Sequence, residues 1–184
     1  MHSALIRVAS IHNLSLAAAF GGPLFAKLAL RPAVLKDVAA TERVRLMEDT
    51  WTRYNKLNVP AHVLFTATWL IERRAITRHF GDHHTNRLVG IKDVLIAGAL
   101  LTGLANVVAG EMLKKEIPPG TNVDTLATTN PAKAATLAKY QGFFKVMGPL
   151  NLVLLGATIA IGPRIGASII RHSRLGLLAR LFMK

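Results

Sequence analysis

Residues 89–113 read VGIKDVLIAGALLTGLANVVAGEML, and they decide what kind of protein this is. After Asp93 no charged residue occurs until Glu111. That gap approaches the roughly 20 apolar residues a helix needs to cross about 30 Å of hydrocarbon. Residues 143–162, FFKVMGPLNLVLLGATIAIG, repeat the pattern, with Lys145 as the sole charge and Pro149 near the same end, where a kink is tolerated. Residues 4–30 form a third apolar segment, whose Arg7 and Lys27 are placed to snorkel toward headgroups. Its centre, LSLAAAFGGPLFA, predicts a kink at Gly21, Gly22 and Pro23. The fourth segment, residues 59–71 (VPAHVLFTATWLI), is short, but Ala75 and Ile76 extend it and Arg73 and Arg74 can reach phosphates.

The expectation is an all-α integral membrane bundle of four transmembrane helices. It forms a single domain over residues 1–184, with spans at about 8–30, 58–76, 89–113 and 143–163. An amphipathic segment makes the first connection, and a basic amphipathic tail covers 164–184. The first span has the form of a signal peptide, yet no cleavage signal followed by a soluble domain comes after it, so it is expected to be retained.

Composition supports a membrane solvent over a nucleic-acid partner. The 184 residues carry 23 Lys+Arg against 10 Asp+Glu, a net charge of +13, yet 51% are hydrophobic and only 18% charged. Basic residues interleaved with exposed aromatics, or a reading helix on a soluble fold, would mark nucleic-acid binding, and neither pattern is present. With no cysteine, disulfide frameworks, thiolate metal sites and cysteine nucleophiles are excluded.

The charge then becomes a matter of topology. Arg73, Arg74, Arg78, Arg87 and Lys92 lie in or beside the middle connection, and the tail carries Arg164, Arg171, Arg174, Arg180 and Lys184 without an acid. Residues 117–131, IPPGTNVDTLATTNP, have neither Lys nor Arg and read as the most mobile external loop. Counting basic residues near span ends favours a multi-pass protein with both termini cytoplasmic; the cell inner membrane is its expected location. The basic tail is expected to lie on anionic lipids. Residues 34–54, free of Gly and Pro, predict either an interfacial amphipathic helix or an aqueous extension of the second span, with Trp51 and Tyr54 at the interface.

Polar residues within spans are costly and therefore informative. His12 starts the first span, Glu72 ends the second and Asp93 starts the third, so all three belong at the cytoplasmic side. An imidazole beside carboxylates can form a proton relay or a divalent-metal site. The competing reading is that Arg7, Arg73, Arg74 or Lys92 neutralise both acids as interfacial ion pairs. His12 and His62 invite comparison with a bis-histidine haem b, but antiparallel spans are expected to place them near opposite membrane surfaces, too far apart for one iron. In RHFGDHH, residues 78–84, His79, His83 and His84 are possible metal ligands, although Gly81 interrupts the helix that would align them. Asn106 and Asn151 are expected to hydrogen-bond across helices, and Glu111 and Lys145 to lie at interfaces.

Packing residues give a clearer signal. Gly98, Thr102, Asn106 and Gly110 recur at four-residue intervals in the third span, a spacing that lets helix backbones approach closely. Ala18, Gly21, Gly22 and Ala26 in the first span offer a matching surface. No nucleophile elbow, phosphate loop, HExxH or dinucleotide fingerprint occurs.

GGPLFAKLALRPAV (21–34) and RYNKLNVP (53–60), joined by a long amphipathic connection, resemble small four-helix bacterial membrane families of the copper-resistance-D-like and transmembrane-protein-205-like kind. The resemblance covers the first third of the chain and implies a membrane bundle. The Met- and Cys-rich copper pattern is lacking. Three functions follow for testing. The leading one is a non-catalytic accessory or assembly subunit of a membrane complex or homo-oligomer, with no cofactor. The next is a small transporter or channel for a proton, metal or small solute using His12, Glu72 and Asp93. The last is a redox protein linked to haem, quinone or a divalent metal.

Overall fold

A computed structural model describes residues 2–117, 121–122 and 125–182, with side chains described for 6–117, 121–122 and 125–171. Every element within them is helical: α1 (His2–Phe25), a π-helical turn (Ala26–Leu30), α2 (Arg31–Asp37), α3 (Ala40–Phe80), α4 (His83–Glu116), α5 (Leu126–Thr129) and α6 (Pro131–Phe182). Around the bundle, α1 packs against α3, α3 against α4, α4 against α6, and α6 closes on α1. Neighbours are antiparallel. Thr85 meets Ser168, Ala99 meets Asn151 and Asn106 meets Met147, so residue numbers rise along α4 as they fall along α6.

Three helical stretches, Ile6–Asp37, His83–Glu116 and Pro131–Arg171, are long and apolar enough to cross a membrane. Four were expected, and α3 falls short because Asn58, Pro60, His62, Thr66 and Thr68 dilute its apolar run while charges crowd both ends. The helices outlast their apolar segments. The 41 residues of α3 rise about 60 Å at 1.5 Å per residue, roughly twice the hydrocarbon thickness.

Local chemistry sets the breaks. Pro32 has no N–H and its ring crowds the carbonyl four residues back, so the helix widens just before it: the Arg31 N–H donates to the Ala26 oxygen, five residues away. The irregularity therefore lies beyond Gly21, Gly22 and Pro23, through which α1 continues unbroken. Extended backbone at Val38 and Ala39 then turns the chain. Arg43 braces this elbow by donating from Nε to the Val38 carbonyl and from Nη2 to that of Leu35. Residues 34–54 are thus two helices joined by an elbow, and from Ala40 onward they are an extension of α3. Asp82 caps α4 by accepting from the Thr85 N–H at 3.0 Å, and Asn130 followed by Pro131 starts α6.

Two further expectations change. The tail is no separate segment, since α6 continues through Pro163 and residue 164 to Phe182 without a break. Arg164 and Arg171 are exposed on it, while the side chains of Arg174 and Arg180 lie outside the described residues. In the 117–131 connection, Ile117 and Leu126 are buried and anchor a short helix, although 118–120 and 123–124 lie outside the described residues.

Tyr54 is drawn into the bundle instead of lying in an interface belt. Its hydroxyl donates to the Ala18 carbonyl at 3.0 Å and lies 3.3 Å from that of Ala19, and its ring fills the space a Cβ would need at Gly22. Burial pushes this phenol from its ordinary value of 10.0 up to about 12. Tyr54→Phe should cost about 1 kcal/mol, read by thermal unfolding in detergent. The Tyr54 contribution should be fully present below pH 10 and decline as pH rises toward 12, because the unfolded phenol ionises first. Loss of stability below pH 9 in the wild type but not in the variant would contradict that assignment.

Candidate functional site

The bundle buries several polar side chains within an apolar core that includes Leu16, Phe65, Ile96 and Leu155, and it leaves large apolar side chains on its outside. Asn151 of α6 donates from Nδ2 to the Ala99 carbonyl and to Thr102 Oγ1, both at 2.8 Å. Asn106 Nδ2 reaches the Met147 carbonyl at 3.4 Å, so both asparagines bond across helices as expected. Gly98 receives Leu154, whose Cδ1 would stand 3.2 Å from an added Cβ. Gly98, Thr102 and Asn106 therefore serve the α4–α6 contact, whereas Gly110 has open space beside it. The small-residue surface of α1 does not match them. Among the described residues the backbones of α1 and α4 do not approach each other, because they lie diagonally across the bundle, and Ala18 and Gly22 receive Tyr54 from α3 instead.

Toward the end of the bundle that holds the α3–α4 turn, His12, Glu72 and Asp93 come into one layer. His12 is 1% exposed; its Nδ1 lies 2.9 Å from the Phe65 carbonyl and 3.3 Å from Thr68 Oγ1. A carbonyl only accepts, so Nδ1 carries the proton and Nε2 presents a lone pair. That Nε2 is buried without a hydrogen-bond partner. The imidazole faces Trp69 across 6.0 Å between ring centroids. Trp69 Nε1 donates to Asp93 Oδ1 at 2.8 Å, and Arg73 Nε donates to Asp93 Oδ2 at 2.8 Å. Asp93 is thereby held on both oxygens. Glu72 is different, since its Oε1 is buried without a partner.

Sequence reasoning did not single out Trp69, which joins this layer, and took Lys92 only as an interfacial countercharge to Glu72 and Asp93. Lys92 had been counted with the headgroup-facing charges, yet it is 4% exposed, with Nζ 4.0 Å above the centre of the Trp69 ring. It interacts electrostatically with both His12 and Glu72. The reason is that α4 starts at His83, so Lys92 is nearly three turns inside a helix and not at its entrance. A signal for it was present: Lys92 sits i, i+4 and i, i+7 with Ile96 and Ala99, both core residues, and its side turns inward with theirs.

The two histidines also lie closer along the bundle than the topological argument required. His12 is level with Phe65–Thr68, three to six residues from His62 on the same helix, which is about 5–9 Å at 1.5 Å per residue. The expected separation by most of the membrane is overturned, because His12 lies ten residues into α1 and His62 lies in mid-helix. They nevertheless point into different contacts. His62 Nδ1 bonds the Asn58 carbonyl at 2.9 Å, and its Nε2 would stand 2.5 Å from a Cβ at Gly103. A porphyrin would need the space that this close contact fills.

His79, His83 and His84 lie on either side of the Gly81–Asp82 turn and are all exposed. His79 meets the neighbouring Phe80 ring edge-on. Among the described residues no group of three or more His, Asp or Glu is placed to hold a metal ion, so the RHFGDHH histidines are not brought together as a ligand set. Glu111 pairs with Lys114 at 2.7 Å, and Lys114 also reaches Thr52 of α3. Comparison with protein-family models, with curated proteins and with solved structures finds no match to this chain.

Proposed function

We propose that the chain is a four-span membrane protein, residues 58–76 of α3 being the fourth span, that acts as a non-catalytic accessory or assembly subunit in a membrane complex or homo-oligomer. The observation that carries the membrane reading is the outward face of α3. Leu57, Val63, Leu64, Leu70 and Ile71 face outward, while Asn58, His62 and Thr68 are buried beside Ala61, Phe65 and Trp69. The outward stripe of a helix in water is polar. The same outward apolar stripe runs along α4 through Val94, Leu101, Leu104, Val108 and Met112, and along α6 through Val146, Leu150 and Val153.

The subunit role draws on α6. Gly162 and Gly166, four residues apart, have open space where a Cβ would stand, leaving a close-approach surface that no described helix of this chain fills. Exposed Arg73, Arg74, Arg78, Arg87, Arg164 and Arg171 gather at the end of the bundle that holds the α3–α4 turn. They support contact with anionic lipids there and an inner-membrane orientation with both termini cytoplasmic. The resemblance to small four-helix bacterial families fits the same picture.

Because the chain has no cysteine, single cysteines report cleanly. Leu64→Cys in native membranes should resist an aqueous maleimide, while Thr50→Cys and Arg78→Cys react from opposite sides. Gly162→Cys should cross-link to a partner helix. Labelling of Leu64→Cys would defeat the fourth span; a lone monomer in mild detergent with no cross-link would defeat the subunit role.

A second reading, a small transporter for a proton, metal or solute, is favoured by the layer of His12, Glu72, Lys92 and Asp93 within the bundle. Haem- or quinone-linked chemistry has no comparable support, since His62 is already packed against Gly103.

A further inference from the structure

We propose that Lys92 is the proton carrier of this layer, exchanging a proton with the His12 imidazole on one side and the Glu72 carboxyl group on the other. The inference rests on the transport reading above and names its cargo as the proton. Three groups from three helices face this layer without bonding one another, His12 on α1, Glu72 on α3 and Lys92 on α4, and the flexible lysine stem is the part that can swing from the Trp69 face to each. His12 and Glu72 have hydrogen-bonding capacity left unused away from water. His12 Nε2 offers a lone pair and Glu72 Oε1 an acceptor, both buried and unbonded. The Lys92 ammonium has three N–H donors, and its placement over Trp69 satisfies at most one of them.

The surrounding charges separate moving parts from fixed ones. Asp93 accepts from Trp69 and Arg73, so it is a clamped countercharge. From α3 the layer also receives Thr68, whose hydroxyl bonds the Leu64 carbonyl and touches His12. At this end α6 contributes buried Ile161 and Ile165 and an exposed Arg164. Arg7 on α1 is exposed. Within this layer His12 and Glu72 each keep a buried, unbonded polar atom and Lys92 is buried beside them, whereas His62, also buried with a free Nε2, is packed against Gly103. Trp69 holds the ammonium between the other two, because its face attracts a cation without accepting a proton from it.

The exchange balances. An N–H bond of the Lys92 ammonium breaks as Nε2–H forms on His12, leaving a neutral amine and an imidazolium. The Glu72 carboxylate takes up a proton from the aqueous phase at the α3–α4 end of the bundle and passes it to the amine, which restores the ammonium and the carboxylate. For net transfer the imidazolium gives up its proton to the aqueous phase at the other end of the path, which restores neutral His12.

The test uses the full chain reconstituted in phosphatidylcholine–phosphatidylglycerol vesicles with pyranine trapped inside, driven by a potassium gradient and valinomycin. The wild type should change internal pH faster than protein-free vesicles. Lys92→Met and His12→Gln should each slow the change by about tenfold or more, the scale of losing a positioned proton donor or acceptor. His83→Gln, in the exposed turn, should leave it unchanged. Wild-type flux equal to protein-free vesicles overturns the proposal, as does full flux in Lys92→Met. Should Lys92→Met fail to insert, Glu72→Gln, which keeps size and shape, decides: loss of flux supports the relay and unchanged flux overturns it. Labelling of Leu64→Cys reads the fourth span independently, so a protected α3 with no flux removes the relay and leaves the membrane reading standing.

Discussion

Replacing Gly103 with leucine is expected to force α3 away from α4 and to leave the bundle without a stable fold in detergent. His62 lies in the only place such a side chain could go. A Cβ at position 103 would stand 2.5 Å from Nε2, 2.9 Å from Cδ2 and 3.2 Å from Cε1 of that ring. The ring cannot swing aside cheaply, because it is 3% exposed, held through Nδ1 to the Asn58 carbonyl and packed on Phe65 at 5.1 Å. A single added methyl, Gly103→Ala, should therefore cost about 1–3 kcal/mol, as overpacking does in well-filled interiors. The three further carbons of leucine should exceed that. Removing the obstacle reverses the sign of the argument. In the His62→Ala background, Gly103→Ala should cost less than in the wild type, with a coupling of about 0.5–3 kcal/mol between the two positions. Unfolding followed by far-UV circular dichroism measures all four corners of that cycle. Additive costs would mean that the imidazole and the glycine do not share this contact.

That contact also shows why some of the structure was legible in sequence and some was not. Residues 89–113 announce a helix in lipid because hydropathy sums over many residues, and no tertiary detail is needed to read it. The four-residue spacing of Gly98, Thr102 and Asn106 likewise announces a packed face, since periodicity alone places them together. Which helix receives that face is a pairing question, and composition does not answer it. Small residues on α1 look equally suitable, yet they are consumed by Tyr54, and the α4 face meets Leu154 and Asn151 instead. Helix starts proved equally hard. Apolar runs mark where a helix meets lipid, whereas α3 begins eighteen residues earlier, at Ala40, where polar sequence supports a helix in water just as well.

The polar layer was half legible for the same reason. Grouping His12, Glu72 and Asp93 at one end needs only the alternation of chain direction. Placing Lys92 among them needs its azimuth around α4, and a lysine beside a span end is ordinarily assigned to headgroups. The side chain goes inward because Trp69 offers it an aromatic face and Glu72 an opposite charge.

Trp69→Ala is the substitution expected to damage this layer most. The indole is 2% exposed and touches the His12 ring, the Lys92 ammonium and the Asp93 carboxylate. In water the loss of a buried tryptophan costs about 3–5 kcal/mol. Part of that is transfer out of water, which a bilayer does not supply, because lipid tails are as apolar as the side chain they replace. What remains is lost packing together with the polar groups set loose. Asp93 keeps Arg73 but loses its inward donor, and Lys92 becomes a buried cation with one partner fewer. The expected cost is about 3 kcal/mol, at the lower edge of the aqueous range. Trp69→Phe separates the two contributions. It keeps an aromatic face beneath Lys92 and most of the volume, and it removes only the Nε1 donor, a hydrogen bond worth about 1–2 kcal/mol or less between membrane helices. The order of stability should therefore be wild type, then Trp69→Phe, then Trp69→Ala, in unfolding titrations in mixed detergent micelles. Adding Asp93→Asn should narrow the gap between wild type and Trp69→Phe, because an uncharged amide leaves no half-buried carboxylate for the indole to satisfy. If Trp69→Phe proved as damaging as Trp69→Ala, the Asp93 bond would outweigh packing, and the layer would owe its geometry to that single contact.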